Sequence, residues 1–139
     1  MTETNSIEKN WRLLVVDDEP IVGKRLQQIF GKMGFTVETY TNGTEALAAM
    51  AALPFDIVVT DLKMDEIDGM EVLNRAKELN PAVKVIIITG YAEPETAEEA
   101  YAKGVFDFIA KPFRLDELKQ VITRALEEFT SQPDGPPEP

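Results

Sequence analysis

Short runs of apolar, mostly β-branched residues alternate with longer stretches of mixed polarity along this chain, five times over, with no repeat of the sequence itself. Runs of about four to eight such residues read as strands, and amphipathic stretches of about ten or more read as helices. The pattern predicts strands over Arg12 to Val16, Thr36 to Tyr40, Asp56 to Thr60, Val83 to Thr89 and Val105 to Ala110. Between and after them it predicts helices over Pro20 to Lys32, Thr44 to Leu53, Gly69 to Leu79, Pro94 to Lys103 and Leu115 to Phe129. Pro20 and Pro94 suit a first helical turn, where a missing N–H breaks no bond, and Gly31, Gly34 and Gly104 fall where helices should stop.

The stretches DIVVT and VKVIIIT are almost wholly apolar, as strands are when helices cover both faces of their sheet. Strict alternation of strand and helix favours parallel pairing through right-handed crossovers. The expected fold is therefore α/β, a doubly wound five-stranded parallel sheet with helices on both faces. The polar residues 1 to 10 read as a flexible N-terminal segment, residues 11 to 129 as one domain, and residues 130 to 139, TSQPDGPPEP, as a Pro-rich disordered tail or linker.

Composition narrows the chemistry. With 139 residues, 44% of them apolar, the chain has the size and the core of one domain. It contains neither cysteine nor histidine, which removes disulfides, thiolate zinc sites, the commonest general base and any phosphohistidine of its own. Carboxylates, hydroxyls and lysines remain. The net charge of −11 opposes nucleic-acid phosphates and anionic lipid and suits a cation or a basic partner. No charged start leads into an apolar segment, and runs such as VKVIII are too short to span a bilayer, so a cytoplasmic chain without membrane or direct nucleic-acid contact is expected.

The stretch LLVVDDEP then raises a difficulty, because it carries a buried strand directly into adjacent, mutually repelling acids. Ligands of such sheets bind beyond the carboxyl ends of the strands. Asp17 and Asp18 follow the first strand, Asp61 the third and Lys111 the fifth, while Thr89 closes the fourth. With the first and third strands as neighbours, the three aspartates converge to roughly 5 Å. Each pair of charges at that separation costs about 3 kcal/mol at an effective dielectric near ~20, so the cluster must take up protons or a cation. A hard divalent ion with all-oxygen ligands, Mg²⁺, fits. Acids also favour helix N-termini, which is reason enough for Glu19, but capping does not account for Asp61, Thr89 and Lys111 at three other strand ends.

The motifs VVDDEP, VVTDLKMDEIDGME, IIITGYAE and FDFIAKPF, in this order and spacing, resemble the receiver domain of two-component response regulators over roughly residues 11 to 128. The resemblance implies the flavodoxin-like strand order 2-1-3-4-5. It implies that Asp61 accepts a phosphoryl group from a phosphohistidine of a sensor histidine kinase or histidine phosphotransfer protein. Mg²⁺ would be held by Asp17, Asp18, Asp61 and the backbone carbonyl of Lys63, with Lys111 as a second positive charge and Thr89 as a switch hydroxyl. Gly90, Tyr91 and Phe108 would repack, changing the face of helix four, strand five and helix five that controls a downstream output protein or detached output domain. A phosphorylation-linked dimer is a further implication, and catalysis is limited to self-phosphorylation and autodephosphorylation.

Two positions depart from the family pattern. Phe108 stands where many members have tyrosine, and Asp65 replaces a proline, opening the acidic loop Asp65-Glu66-Ile67-Asp68. These acids either serve the next helix or, facing the pocket, slow anionic phosphodonors. Lys63 and Tyr91 occupy positions that in similar proteins tune hydrolysis of the acyl phosphate. Phe106, Phe108 and Phe113 are expected mainly in the core, and Tyr101 on the surface. Helix one, with Lys24, Arg25 and Gln28 outward and Leu26, Ile29 and Phe30 inward, is the expected kinase-docking face together with the loop after strand five. The alternative is a Mg²⁺-dependent aspartyl-phosphate phosphatase or phosphotransferase, which would need a second acid for the leaving group and a cap for which this chain has no room. A flavin or dinucleotide site lacks its G-x-G-x-x-G after strand one.

Overall fold

In the computed structural model, which describes residues 10 to 131, five strands form one parallel sheet in the order β2-β1-β3-β4-β5. The strands are β1 (Arg12–Val16), β2 (Thr36–Tyr40), β3 (Ile57–Asp61), β4 (Lys84–Thr89) and β5 (Asp107–Ala110). The helices are α1 (Pro20–Lys32), α2 (Gly43–Ala52), α3 (Gly69–Leu79), α4 (Pro94–Ala102) and α5 (Leu115–Ser131). The expected doubly wound fold and strand order are both present. The N-terminal segment and the Pro-rich tail lie almost wholly outside the described residues, although Thr130 and Ser131, assigned to the tail, belong to α5.

The period-two alternation of the strands divides the core in two. Leu14, Val16, Val58, Val85 and Ile87 pack with Ala46 and Met50 of α2, Val72 and Leu73 of α3, and Ala100 of α4. Leu13, Val15, Ile57, Val59, Ile86 and Ile88 face the other way, against Leu26 and Phe30 of α1 and Leu118 and Ile122 of α5. A one-residue slip of any central strand would exchange these sets, so the parallel register, for example Val16↔Thr60 and Thr60↔Ile87, is strongly specified. This register sets the ends of β1, β3 and β4 level and so builds the crevice in which the polar residues meet.

Helix ends follow local chemistry. Asn42 and Asp68 accept hydrogen bonds from the backbone N–H of Glu45 and Glu71 at 2.8 and 3.0 Å, capping α2 and α3. Gly34 and Gly104, at φ +103° and +98°, end α1 and α4 in left-handed turns. In each turn the following residue closes a bond back into the helix, Phe35 N–H to Phe30 O and Val105 N–H to Ala100 O. The Phe30 and Phe35 rings then meet edge to face at 5.7 Å. Gly31 is the penultimate residue of α1, whose bounds are those expected: its position faces open space, so a glycine there costs only the usual entropy.

Candidate functional site

β1 delivers Asp17 as the first residue beyond its end, where the Asp17 N–H still donates to Tyr40 O at 3.1 Å. β3 delivers Asp61 as its own last residue, one position earlier relative to the strand end than expected, since pairing with Ile88 extends the ladder. β4 ends on the fully buried Thr89, and the backbone N–H of Lys111 donates to Thr89 O at 2.8 Å, holding the residue after β5 level with it. The Lys111-Pro112 peptide is cis.

Asp17, Asp18 and Asp61 each offer a carboxylate oxygen such that all three lie within 4.8 Å of one another. Asp17 and Asp61 are buried and Asp18 is exposed, so the cluster is a pocket with one open side. The Lys111 ammonium reaches in to Asp17 at 3.1 Å and Asp61 at 3.5 Å. Two backbone N–H groups hold the remaining oxygens: Glu19 donates to Asp17 Oδ1 at 2.9 Å and Leu62 to Asp61 Oδ1 at 2.8 Å. Three carboxylates against one ammonium leave two net negative charges in a partly dry crevice.

The electrostatics carry the mark of that surplus. Burial, then the charge of Asp17, pushes the Asp61 pKa up, and Lys111 with the Leu62 N–H only partly opposes this. Burial works against the Lys111 ammonium, yet its hydrogen bond to Asp17 and the charges of Asp17 and Asp61 prevail and hold its pKa above the ordinary lysine value. An all-oxygen donor set with two surplus negative charges fits a hard divalent cation.

Thr89 Oγ1 accepts a hydrogen bond from the Tyr91 N–H at 2.9 Å. Tyr91 is 59% exposed, and the Lys63 ammonium lies 5.2 Å from the centre of its ring. Gly90 is exposed, with nothing within 4 Å of the place a Cβ would take. Phe108 is half-buried against the core of the α2-α3-α4 face. Phe106 and Phe113 pack similarly against the opposite core, so all three rings line the core margin and are not sealed inside it. Tyr101 is exposed, as expected, and its hydroxyl donates to Asp107 at 2.9 Å. The acidic loop divides: Asp68 caps α3, while Asp65 and Glu66 are exposed and stand outside the three-aspartate group.

One residue at the site went unrecognised in the sequence. Gly69 lies so close under the end of β3 that a Cβ would collide with the Asp61 carbonyl oxygen and stand 2.9 Å from the Leu62 Cα, and its N–H donates to Leu62 O at 2.8 Å. The available signal was a glycine at the first position of a capped helix, where almost any side chain is otherwise welcome.

A flavodoxin-like sheet with an aspartate cluster at the carboxyl ends of β1 and β3 defines a class, the receiver domains. Residues 13–123 match the response regulator receiver domain family, and the chain belongs to that family. It is 41% identical over 116 residues to the regulatory protein AtoC of Escherichia coli, and 35% identical over 118 residues to the DNA-binding transcriptional regulator NtrC of Salmonella typhimurium. Those matches cover 84% and 85% of this chain but 25% of each relative, so the chain spans about a quarter of their length. Among solved structures, a CheY-like receiver domain protein from Methanospirillum hungatei superposes with a TM-score of 0.85 at 30% identity, covering 90% of this chain and 100% of that one. The beryllofluoride-activated NtrC4 receiver domain dimer gives 0.79 at 35% identity, covering 85% and 98%. The chain is thus a receiver domain, whose function is phosphorylation-dependent signalling; among the described residues no helix is long and apolar enough to cross a membrane.

Proposed function

We propose that Asp61 is the phosphoacceptor of this receiver and that its donor is a phosphohistidine on a sensor histidine kinase or histidine phosphotransfer protein. The observation that carries this reading is the convergence of Asp17, Asp18 and Asp61 with Lys111 in one crevice. In the transfer a bond forms between an Asp61 carboxylate oxygen and phosphorus while the phosphorus–nitrogen bond breaks, its electron pair leaving on the imidazole. Asp17, Asp18, Asp61 and the Lys63 carbonyl would hold Mg²⁺, which would supply charge neutralisation on the phosphoryl oxygens. The protein's own part is placement: the Leu62 N–H fixes one Asp61 oxygen and leaves the other to attack, and Lys111, flexible on its stem, turns from the carboxylates to the incoming phosphoryl group.

Thr89 then donates its hydroxyl to a phosphoryl oxygen. A charge-assisted bond of this kind contributes about 1.5–3 kcal/mol, whereas carrying a population from about 1:99 to 99:1 requires about 5.5 kcal/mol. Lys111 and the repacking of Gly90, Tyr91 and Phe108 therefore share the switch, and the face of α4, β5 and α5 delivers it to an output domain or partner. Phe108 offers no hydroxyl, so that readout rests on shape and apolar contact. α1 and the loop after β5 receive the donor protein. The net charge of −11 disfavours direct contact of this domain with DNA phosphates. A phosphorylation-linked dimer and a limited capacity for self-phosphorylation and autodephosphorylation complete the reading.

Intact-mass analysis after incubation with acetyl phosphate and Mg²⁺ tests it. One labile phosphoryl group is expected on the wild type and none on Asp61→Asn or with the metal chelated; a group retained in the variant would place the acceptor elsewhere.

A further inference from the structure

Between α1 and the loop after β5 lies an open cavity of about 530 Å³. Its walls are apolar, from Ile21, Val22 and Leu26 on one side and Pro112, Phe113 and Leu115 on the other. Lys111, whose ammonium lies 3.5 Å from an Asp61 oxygen, also lines it, which sets the cavity beside the acceptor carboxylate. Arg25 and Glu19 also line it, and no ion pair of Arg25 is present among the described residues, so with Lys111 the lining carries two cations against one carboxylate and favours an anionic group. Ile21 is 69% exposed, an apolar side chain held in water beside this opening.

A volume within the range of about 300–1,000 Å³ found for small-molecule sites, apolar walls and a net positive lining are the features of a pocket for an amphiphilic anion. We propose that this cavity binds the leaving group of the phosphodonor and makes the domain selective for phosphodonors with a flat, apolar leaving group. The inference rests on Asp61 being the phosphoacceptor. With an acyl phosphate as donor, a bond forms from Asp61 oxygen to phosphorus and the bond from phosphorus to the acyl oxygen breaks, the electron pair departing on the carboxylate product. The imidazole of a phosphohistidine is flat and partly apolar, and an aryl acyl phosphate shares that shape. The acetyl group of acetyl phosphate is too small to reach both walls.

Because the cavity contacts the leaving group before and during transfer alike, its contribution is uniform binding, which lowers KM and leaves kcat nearly unchanged. Phosphorylation by benzoyl phosphate and by acetyl phosphate, with Mg²⁺ present, measures this. Burial of one ring against the walls predicts a KM about five- to thirtyfold lower for benzoyl phosphate, with kcat values within about twofold. Ile21→Ser brings the two KM values together, Ile21→Leu keeps them apart, and Leu79→Ser, another exposed apolar site away from the cavity, has no effect. Phenylphosphonate, which cannot transfer its group, shifts the amide resonances of Ile21 and Phe113 where methylphosphonate does not. Equal KM values for the two donors, or a difference that survives Ile21→Ser, would overturn the inference while leaving Asp61 as acceptor intact. Failure of both donors to modify Asp61 would overturn the acceptor assignment itself.

Discussion

Asp61 is a charged group in a place that disfavours its charge. Burial first and Asp17 second hold its pKa above the ordinary 3.8, so the ionised form is less welcome in the folded protein than in the unfolded chain. Its stabilising contribution is therefore complete below the unfolded pKa and lost as pH rises through the folded one. Asp61→Asn should accordingly melt at a higher temperature than wild type at pH 7 with chelator present, and the gap should close as pH falls towards 4 or as Mg²⁺ is added. A variant that melts lower at pH 7 without metal would mean that the bonds from Lys111 and Leu62 outweigh burial. Function here is maintained against stability, which is the expected trade at a site awaiting a cation and a phosphoryl group.

At the scale of elements, the helix α3 is placed by the absence of a side chain. Gly69→Ala would drive a methyl group into the backbone of Asp61, held in the β3 ladder, and of Leu62, the buried residue that follows it. The expected cost is about 1–3 kcal/mol of stability, with labelling of Asp61 by acetyl phosphate slowed at least about tenfold because the carboxylate is displaced. Normal labelling in a destabilised variant would confine Gly69 to packing. This close approach is also where the sequence was least legible, since the helix and its Asp68 cap are local signals whereas the distance from Gly69 to β3 arises only on folding. The strands and helices themselves could be read to within about two residues, because burial on both sheet faces leaves the central strands almost purely apolar and sets them off from the amphipathic helices. Asp61 illustrates the residual error: an acid at the end of an apolar run looks like a loop residue, but its backbone still pairs with β4. The tie from Tyr101 through Asp107 to Arg124, which links α4, β5 and α5 at 2.9 and 2.8 Å, had no local signature at all.

Over the whole molecule, the two-sided core is what gives the aspartates their meeting place. Asp17 and Asp61 are 44 positions apart in sequence and would never meet without the parallel register of β1 on β3, which the alternation of Leu13 to Val16 between two helix layers holds in place. The site is therefore a property of the sheet, and Lys111 reaches it only because β5 ends level with β4. This architecture leaves the crevice open on the Asp18 side, where an ion can enter, and on the α1 side, where a donor can. The most direct measurement is a crystal structure of the domain with Mg²⁺ and beryllofluoride. The account predicts the ion on the carboxylates of Asp17, Asp18 and Asp61, beryllium bonded to an Asp61 oxygen, Lys111 on a fluoride and the Thr89 hydroxyl directed to another. Beryllofluoride on a different aspartate, or an ion bound away from these three, would contradict it.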